Sequence, residues 1–209
     1  MSACGVLITL EGNEGCGKST QSQLLRAALL KNGKKVFLTR EPGGTAVGDQ
    51  IRKILLSEKN RALSPLSETL LYMASRAQLV AEVVRPHLSK GEVVLCDRWM
   101  DATVAYQGYG GGVDVNFIKA LGRAATQGIT PKLSLYLDLP VRDGLRRAAK
   151  RHKADRIEKK SVLFHEKVRQ GFLAIAHQEP RRFKRLTIRA EDPITDIHER
   201  ILREVERVL

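Results

Sequence analysis

Short runs of β-branched and aliphatic residues alternate along this chain with longer stretches in which apolar positions return every three to four residues. The short runs predict strands near residues 5–10, 35–39, 92–96, 133–138 and 184–189. The longer stretches predict helices at 19–30, Ala46–Leu56, 66–88, 115–127, 141–151, 159–178 and 193–208. Such alternation builds a parallel sheet covered by helices, because each parallel connection is long enough to hold one. The expectation is an α/β fold with a doubly wound, parallel five-stranded sheet flanked by helices. Residues 1–209 are read as one domain, since no 20–50-residue repeat and no Ser/Gly/Pro linker interrupts them. Pro42-Gly43-Gly44 and Gly108-Tyr109-Gly110-Gly111-Gly112 follow predicted strands and read as loops, at the sheet edge where such folds bind ligands.

Composition narrows the class. With 209 residues, 43% hydrophobic and 28% charged, the chain is long enough for its own core and far from a disordered composition. Its apolar runs, such as Val93-Val94-Leu95-Cys96, fall well short of the ~18 residues that span a bilayer, so no membrane partner is expected. Cys4, Cys16 and Cys96 have neither a disulfide framework nor metal-ligand spacing, and the N-terminus lacks the basic region of a signal peptide; a cytoplasmic protein is expected. The net charge of +13 is regional: between Val141 and Arg189 there are 16 Lys or Arg against 5 Asp or Glu. A local basic segment suits nucleic acid, a membrane surface or nucleotide phosphates, and charge alone does not choose among them.

One motif does choose. Gly12-Asn13-Glu14-Gly15-Cys16-Gly17-Lys18-Ser19 fits G-x-x-x-x-G-K-[ST], directly after a predicted strand and before a helical pattern. Glycines let the backbone N–H groups turn inward on phosphate oxygens, and the following helix adds its positive end. The motif and the adjacent Thr20 form the candidate ATP and phosphate site of a P-loop NTPase-type fold. Lys18 supplies charge to the β- and γ-phosphates, Ser19 a hydroxyl for Mg²⁺, and Cys16 reads as a small filler. The D-x-x-G and N-K-x-D motifs of GTPases are absent, and the chain is short for an ATPase motor, which favours a small-molecule kinase. Asp97-Arg98 closes an apolar strand at the same sheet edge. Asp97 suits Mg²⁺ or substrate and Arg98 suits phosphate, the plain alternative being a surface ion pair.

Six segments together resemble the bacterial thymidylate kinases: Glu11 through Ser19, Thr39-Arg40-Glu41-Pro42-Gly43-Gly44-Thr45, Arg76-Ala77-Gln78, Asp97-Arg98-Trp99, Ala105-Tyr106-Gln107-Gly108, and the basic stretch ending Asp155-Arg156-Ile157-Glu158. Their order and spacing match over residues 7–182. The resemblance implies ATP- and Mg²⁺-dependent phosphorylation of dTMP to dTDP, for dTTP synthesis, by direct in-line transfer. It places Glu14 near the sugar hydroxyl, Tyr72 (where Phe is more usual) against the thymine, Arg76 on the base, and Thr103 and Gln107 around it. Arg98 falls on the acceptor phosphate, with Arg40 and Arg52 as weaker anchors there or as supports for the Glu41-Pro42-Gly43-Gly44 loop, in which a cis bond before Pro42 would help shape the acceptor site. A basic lid at about 142–158 would bring an arginine to ATP, with Arg151 preferred and Arg147 the alternative. Lys18, Arg98, Arg151 and Glu14 are thus the catalytic candidates. A homodimer is implied, through helices such as Ala46–Leu56 and 66–88, and a nucleic-acid partner is not. Trp99 and the strongly basic Arg151-His152-Lys153-Ala154 depart from the family pattern, and Arg181-Arg182-Phe183-Lys184-Arg185 has no catalytic explanation.

Overall fold

The computed structural model describes residues 5–150 and 154–209. Strands β1 (Val6–Glu11), β2 (Val36–Arg40), β3 (Val93–Asp97), β4 (Leu133–Asp138) and β5 (Phe183–Thr187) form one sheet in the order β2-β3-β1-β4-β5. Every pairing is parallel, and every strand lies within two residues of its predicted place. Central β1 and β4 are almost wholly buried, as expected of strands covered on both faces, whereas edge strand β5 alternates buried with exposed positions.

The helices are α1 (Lys18–Lys31), α2 (Ala46–Leu56), α3 (Pro65–Leu79), α4 (Arg85–Ser89), α5 (Met100–Thr103), α6 (Val115–Thr126), α7 (Val141–Ala149), α8 (Val162–Gln178) and α9 (Ile194–Glu206). The helix predicted at 66–88 is α3 and α4 joined through a π-helical turn, Val80–Val84. Helix α8 starts later than predicted because Ser161 caps it, its hydroxyl accepting from the Phe164 amide. On one sheet face Ile8 and Leu10 pack with Leu25 and Leu29 of α1 and Ile197, Ile201 and Val205 of α9. On the other, Tyr136 stacks on Phe172 of α8 with centroids 4.8 Å apart, and Leu7 packs among Leu79, Val80 and Trp99.

The loop expected at 108–112 needs correcting. Residues Val104–Gly110 are π-helical and continue α5, and of the four glycines only Gly112 has a positive φ, +77°. The glycines of this region permit close packing. A Cβ on Gly110 would lie 2.7 Å from Phe164 and 2.9 Å from Val168 of α8, and one on Gly171 would lie 2.9 Å from the Tyr109 ring. The partner helix is distant in sequence, so local pattern reads these residues as a turn.

Part of the basic surplus also finds its reason. Arg182 donates to both oxygens of Asp101 at 2.8 Å, and Arg169 and Arg185 donate to the fully buried Asp138 at 2.7 and 2.8 Å. Burial pushes the Asp138 carboxyl up, but these arginines and Tyr136 hold it below its ordinary value. Two of the four basic residues in Arg181-Arg182-Phe183-Lys184-Arg185 therefore neutralise acids under the sheet edge. Among the described residues no helix is long and apolar enough to cross a membrane.

Candidate active site

Leaving β1, the chain turns through Gly12, Gly15 and Gly17, at φ +144°, +66° and +95°, before α1 begins at Lys18. These are angles that an L side chain adopts only under strain. Lys18 is buried, and its ammonium donates to the carbonyls of Gly12 (3.0 Å) and Asn13 (2.9 Å), with Cys16 Sγ at 3.5 Å. The positive charge is thereby held at the centre of the loop. Ser19 Oγ donates to Asp97 Oδ2 at 2.7 Å, which joins the start of α1 to the end of β3.

Arg98 follows β3 with a left-handed backbone, φ +74°, held where its amide donates to the Leu10 carbonyl at 3.0 Å. A non-glycine residue in this conformation stores backbone strain that its surroundings must overcome. Its guanidinium donates to the Gly12 carbonyl (3.0 Å), Glu14 Oε1 (2.8 Å) and the Tyr106 hydroxyl (3.1 Å), and Tyr106 also donates to Glu14 Oε1 at 2.8 Å. Burial alone would raise the Glu14 carboxyl, but Arg98, Lys18 and the Tyr106 hydrogen bond outweigh it and hold it at about 2. At neutral pH an ionised acceptor and a fixed cation therefore sit side by side. Glu11, at the end of β1, is the contrast: fully buried, with neither oxygen hydrogen-bonded to a described residue. Burial and the nearby Asp101 push it well above the carboxylate range, toward the neutral form.

Across the cleft, Glu41 and Pro42 are joined by a cis peptide bond, as the resemblance led us to expect. The 42–45 turn is secured by Ser75 Oγ and Asp49 Oδ1, which accept from the amides of Gly43 and Gly44, and by Arg52, which donates to the Pro42 carbonyl at 2.9 Å. Arg76 is 1% exposed. Its Nε donates to Glu41 at 2.8 Å, one Nη to Thr103 Oγ1 at 2.9 Å, and the other Nη faces the sulfurs of Met73 and Met100. Arg76 is thus an interior cation whose ion pair with Glu41 is buried. Tyr72, one turn earlier on α3, is half-buried, and burial pushes its phenol up from its ordinary value.

These groups surround a cleft of about 290 Å³. All ten residues assigned to the acceptor side line it: Glu14, Arg40, Pro42, Arg52, Tyr72, Arg76, Asp97, Arg98, Thr103 and Gln107. Gly15, Gly17, Lys18 and Ser19 line it from the phosphate loop, whereas Gly12, Asn13, Cys16 and Thr20 do not. Arg147 lies off the cleft on α7, where Ala148 faces it, and Arg151 lies outside the described residues. Sequence reasoning assigned no role to Glu41, Trp99, Tyr106, Asp155 or Glu158, which also line the cleft. Each stood in a segment that carried the resemblance, but nothing local showed which way its side chain would turn.

A parallel sheet that delivers its central strand to a phosphate loop, beside a cleft of nucleotide-binding character, defines a P-loop kinase-type fold. The chain belongs to the thymidylate kinase family, whose model matches residues 10–201. Thymidylate kinases of Geobacter sp. (strain M21) and Deinococcus radiodurans are 53% and 50% identical to it, each over 86% of this chain and over 82% and 86% of their own lengths. The crystal structure of thymidylate kinase from Ehrlichia chaffeensis aligns with a TM-score of 0.77 at 32% identity, covering 97% of this chain and 98% of that one.

Proposed function

We propose that this enzyme transfers the γ-phosphoryl group of ATP to dTMP in a single in-line step, with residues 1–209 acting as one domain whose 142–158 segment is the lid. The observation that carries this reading is the cleft itself, in which the acceptor-side residues meet the loop that holds Lys18. A dTMP phosphate oxygen bonds to the γ-phosphorus as the bond to the ADP oxygen breaks, and no general base is needed because the acceptor is already an anion. The protein's task is alignment and charge neutralisation. Lys18 and Arg98 supply the positive field, and Arg151, with Arg147 as the alternative, adds to it from the lid. Glu14 accepts the sugar hydroxyl, Tyr72 stacks on the base, and Arg76, Thr103 and Gln107 border it.

The Ser19 hydroxyl and Asp97 carboxylate are two adjacent oxygen donors of the kind Mg²⁺ takes. Among the described residues no group of three or more His, Cys, Asp or Glu is placed to hold a metal, which fits an ion completed by phosphate oxygens and water. Mg²⁺ bound there would neutralise the phosphate oxygens of the nucleotide.

Val47 and Ile54 of α2, Leu66 and Leu70 of α3 and Phe117 of α6 are exposed, and α3 packs against both other helices. This supports a homodimer through that face, which sedimentation would detect. Buried free thiols at Cys16 and Cys96 suit a reducing cytoplasm.

The test is Mg²⁺-dependent ADP formation with dTMP, dUMP, dCMP, dGMP, AMP and thymidine as separate acceptors, with Lys18→Ala as control. Preference for dTMP that vanishes in the variant is expected. Preference for another acceptor overturns the Tyr72 and Arg76 base site, and no transfer at all overturns the kinase reading.

A further inference from the structure

His165 lies in the first turn of α8, fully buried, and neither ring nitrogen closes a hydrogen bond with a described residue. Its main-chain carbonyl accepts from Asn13 Nδ2 at 3.1 Å, and Asn13 Oδ1 is likewise buried with no hydrogen-bond partner among the described residues. The carbonyls of Ile157 and Glu158 adjoin the ring, and Glu14 and Arg98 act on it electrostatically. A buried imidazole and one end of a buried amide thus keep unused hydrogen-bonding capacity where the phosphate loop touches the chain returning from the basic segment.

The other end of that segment grips the same loop. A Cβ on Gly144 of α7 would lie 2.3 Å from the Glu14 carbonyl oxygen, and one on Gly15 would lie 2.1 Å from the Gly144 carbonyl oxygen. Helices α7 and α8, the two roots of the segment, therefore press on consecutive residues of the phosphate loop: Glu14 and Gly15 from one side, Asn13 from the other.

We propose that His165 is a positioning residue for phosphoryl transfer: its imidazole N–H holds the returning Ile157 and Glu158 backbone while its main-chain carbonyl holds Asn13, so that lid segment and phosphate loop are set together. The inference rests on the kinase reading for its effect on turnover. A neutral imidazole has one N–H to give, and the carbonyls beside the ring are acceptors that can take it. Burial, the largest influence on the ring, and the nearby Arg98 both disfavour its charged form, and Glu14 and the two carbonyls only partly oppose them. The ring is therefore neutral at neutral pH.

Three full-length variants test this: His165→Phe, which fills the space without an N–H, and His165→Gln and His165→Asn, which each return an amide near one ring nitrogen. Trp99, the only tryptophan, lines the cleft and reports dTMP binding by fluorescence. For His165→Phe we expect an unfolding midpoint and a dTMP Kd close to wild type, a kcat about tenfold lower, and substantial rescue by one of the two amides. Hydrogen exchange with and without ADP provides a readout independent of turnover. Nucleotide-induced protection of residues 155–160 should be lost in His165→Phe and return in the rescuing amide. A kcat within twofold of wild type together with unchanged protection overturns the proposal. So does a loss that tracks stability and that neither amide repairs. Failure of wild type to use dTMP would overturn the kinase reading instead, and the exchange experiment would still decide the coupling.

Discussion

Replacing Arg76 by Met should strand Glu41 in the interior. The two side chains are 1% and 2% exposed, and the guanidinium contacts both carboxylate oxygens, at distances down to 2.5 Å. Removing one partner of such a pair costs about 3–5 kcal/mol, because the remaining charge has lost its solvation without compensation. For a chain of this size that is a fall in Tm of roughly 10 °C. Burial already raises the Glu41 carboxyl, with Arg76 opposing, so without Arg76 it must rise further. A carboxyl whose folded-state value is raised loses stability as pH climbs through that value. The penalty in Arg76→Met should therefore be larger at pH 8 than at pH 5, where the stranded acid takes up a proton. Urea unfolding of wild type, Arg76→Met, Glu41→Gln and the double variant at both pH values measures this, and the double variant should recover most of the lost stability. It should not recover dTMP affinity, because the cleft still lacks the guanidinium. A penalty below about 1 kcal/mol at pH 8, or one that does not change with pH, would refute the argument.

Other consequences are open to direct measurement. Lys18→Ala and Arg98→Ala should each lower kcat at least about a hundredfold by removing charge from the transferring phosphoryl group, and Arg98→Lys should recover little, since an ammonium cannot span Gly12, Glu14 and Tyr106 as the planar fork does; near-normal kcat would remove those roles. Tyr72→Ala should raise the dTMP KM by the loss of about 1–3 kcal/mol of stacking and leave the ATP KM unchanged. An effect on ATP instead would place the ring on the wrong side of the cleft. Glu14, held at about 2, stabilises the fold above its unfolded value near 4.5 and loses that contribution as pH falls toward 2. The stability gap between wild type and Glu14→Gln should accordingly be widest at neutral pH and close in acid, which urea titrations across pH 2–7 would check.

The sequence by itself determined the features whose causes are local. Glycines at 12, 15 and 17 permit the loop's positive φ angles, and the loop's place between a strand and a helix follows from apolar period alone. The same period placed all five strands. Likeness to a family then named the residues around the cleft, without showing what they touch. Tertiary structure decided the rest, because the causes lie far apart in the chain. Glycines at 108–112 read as a turn until α8, some fifty residues on, is packed against them. Nothing near Arg76 in the sequence shows that Glu41, thirty-five residues earlier, closes on it in the interior. Arg182 and Arg185 looked like surplus charge until Asp101 and Asp138 were found beneath them. Desolvation sets the difference: a charge or a close approach gains its meaning from what excludes water around it, and that depends on the assembled fold.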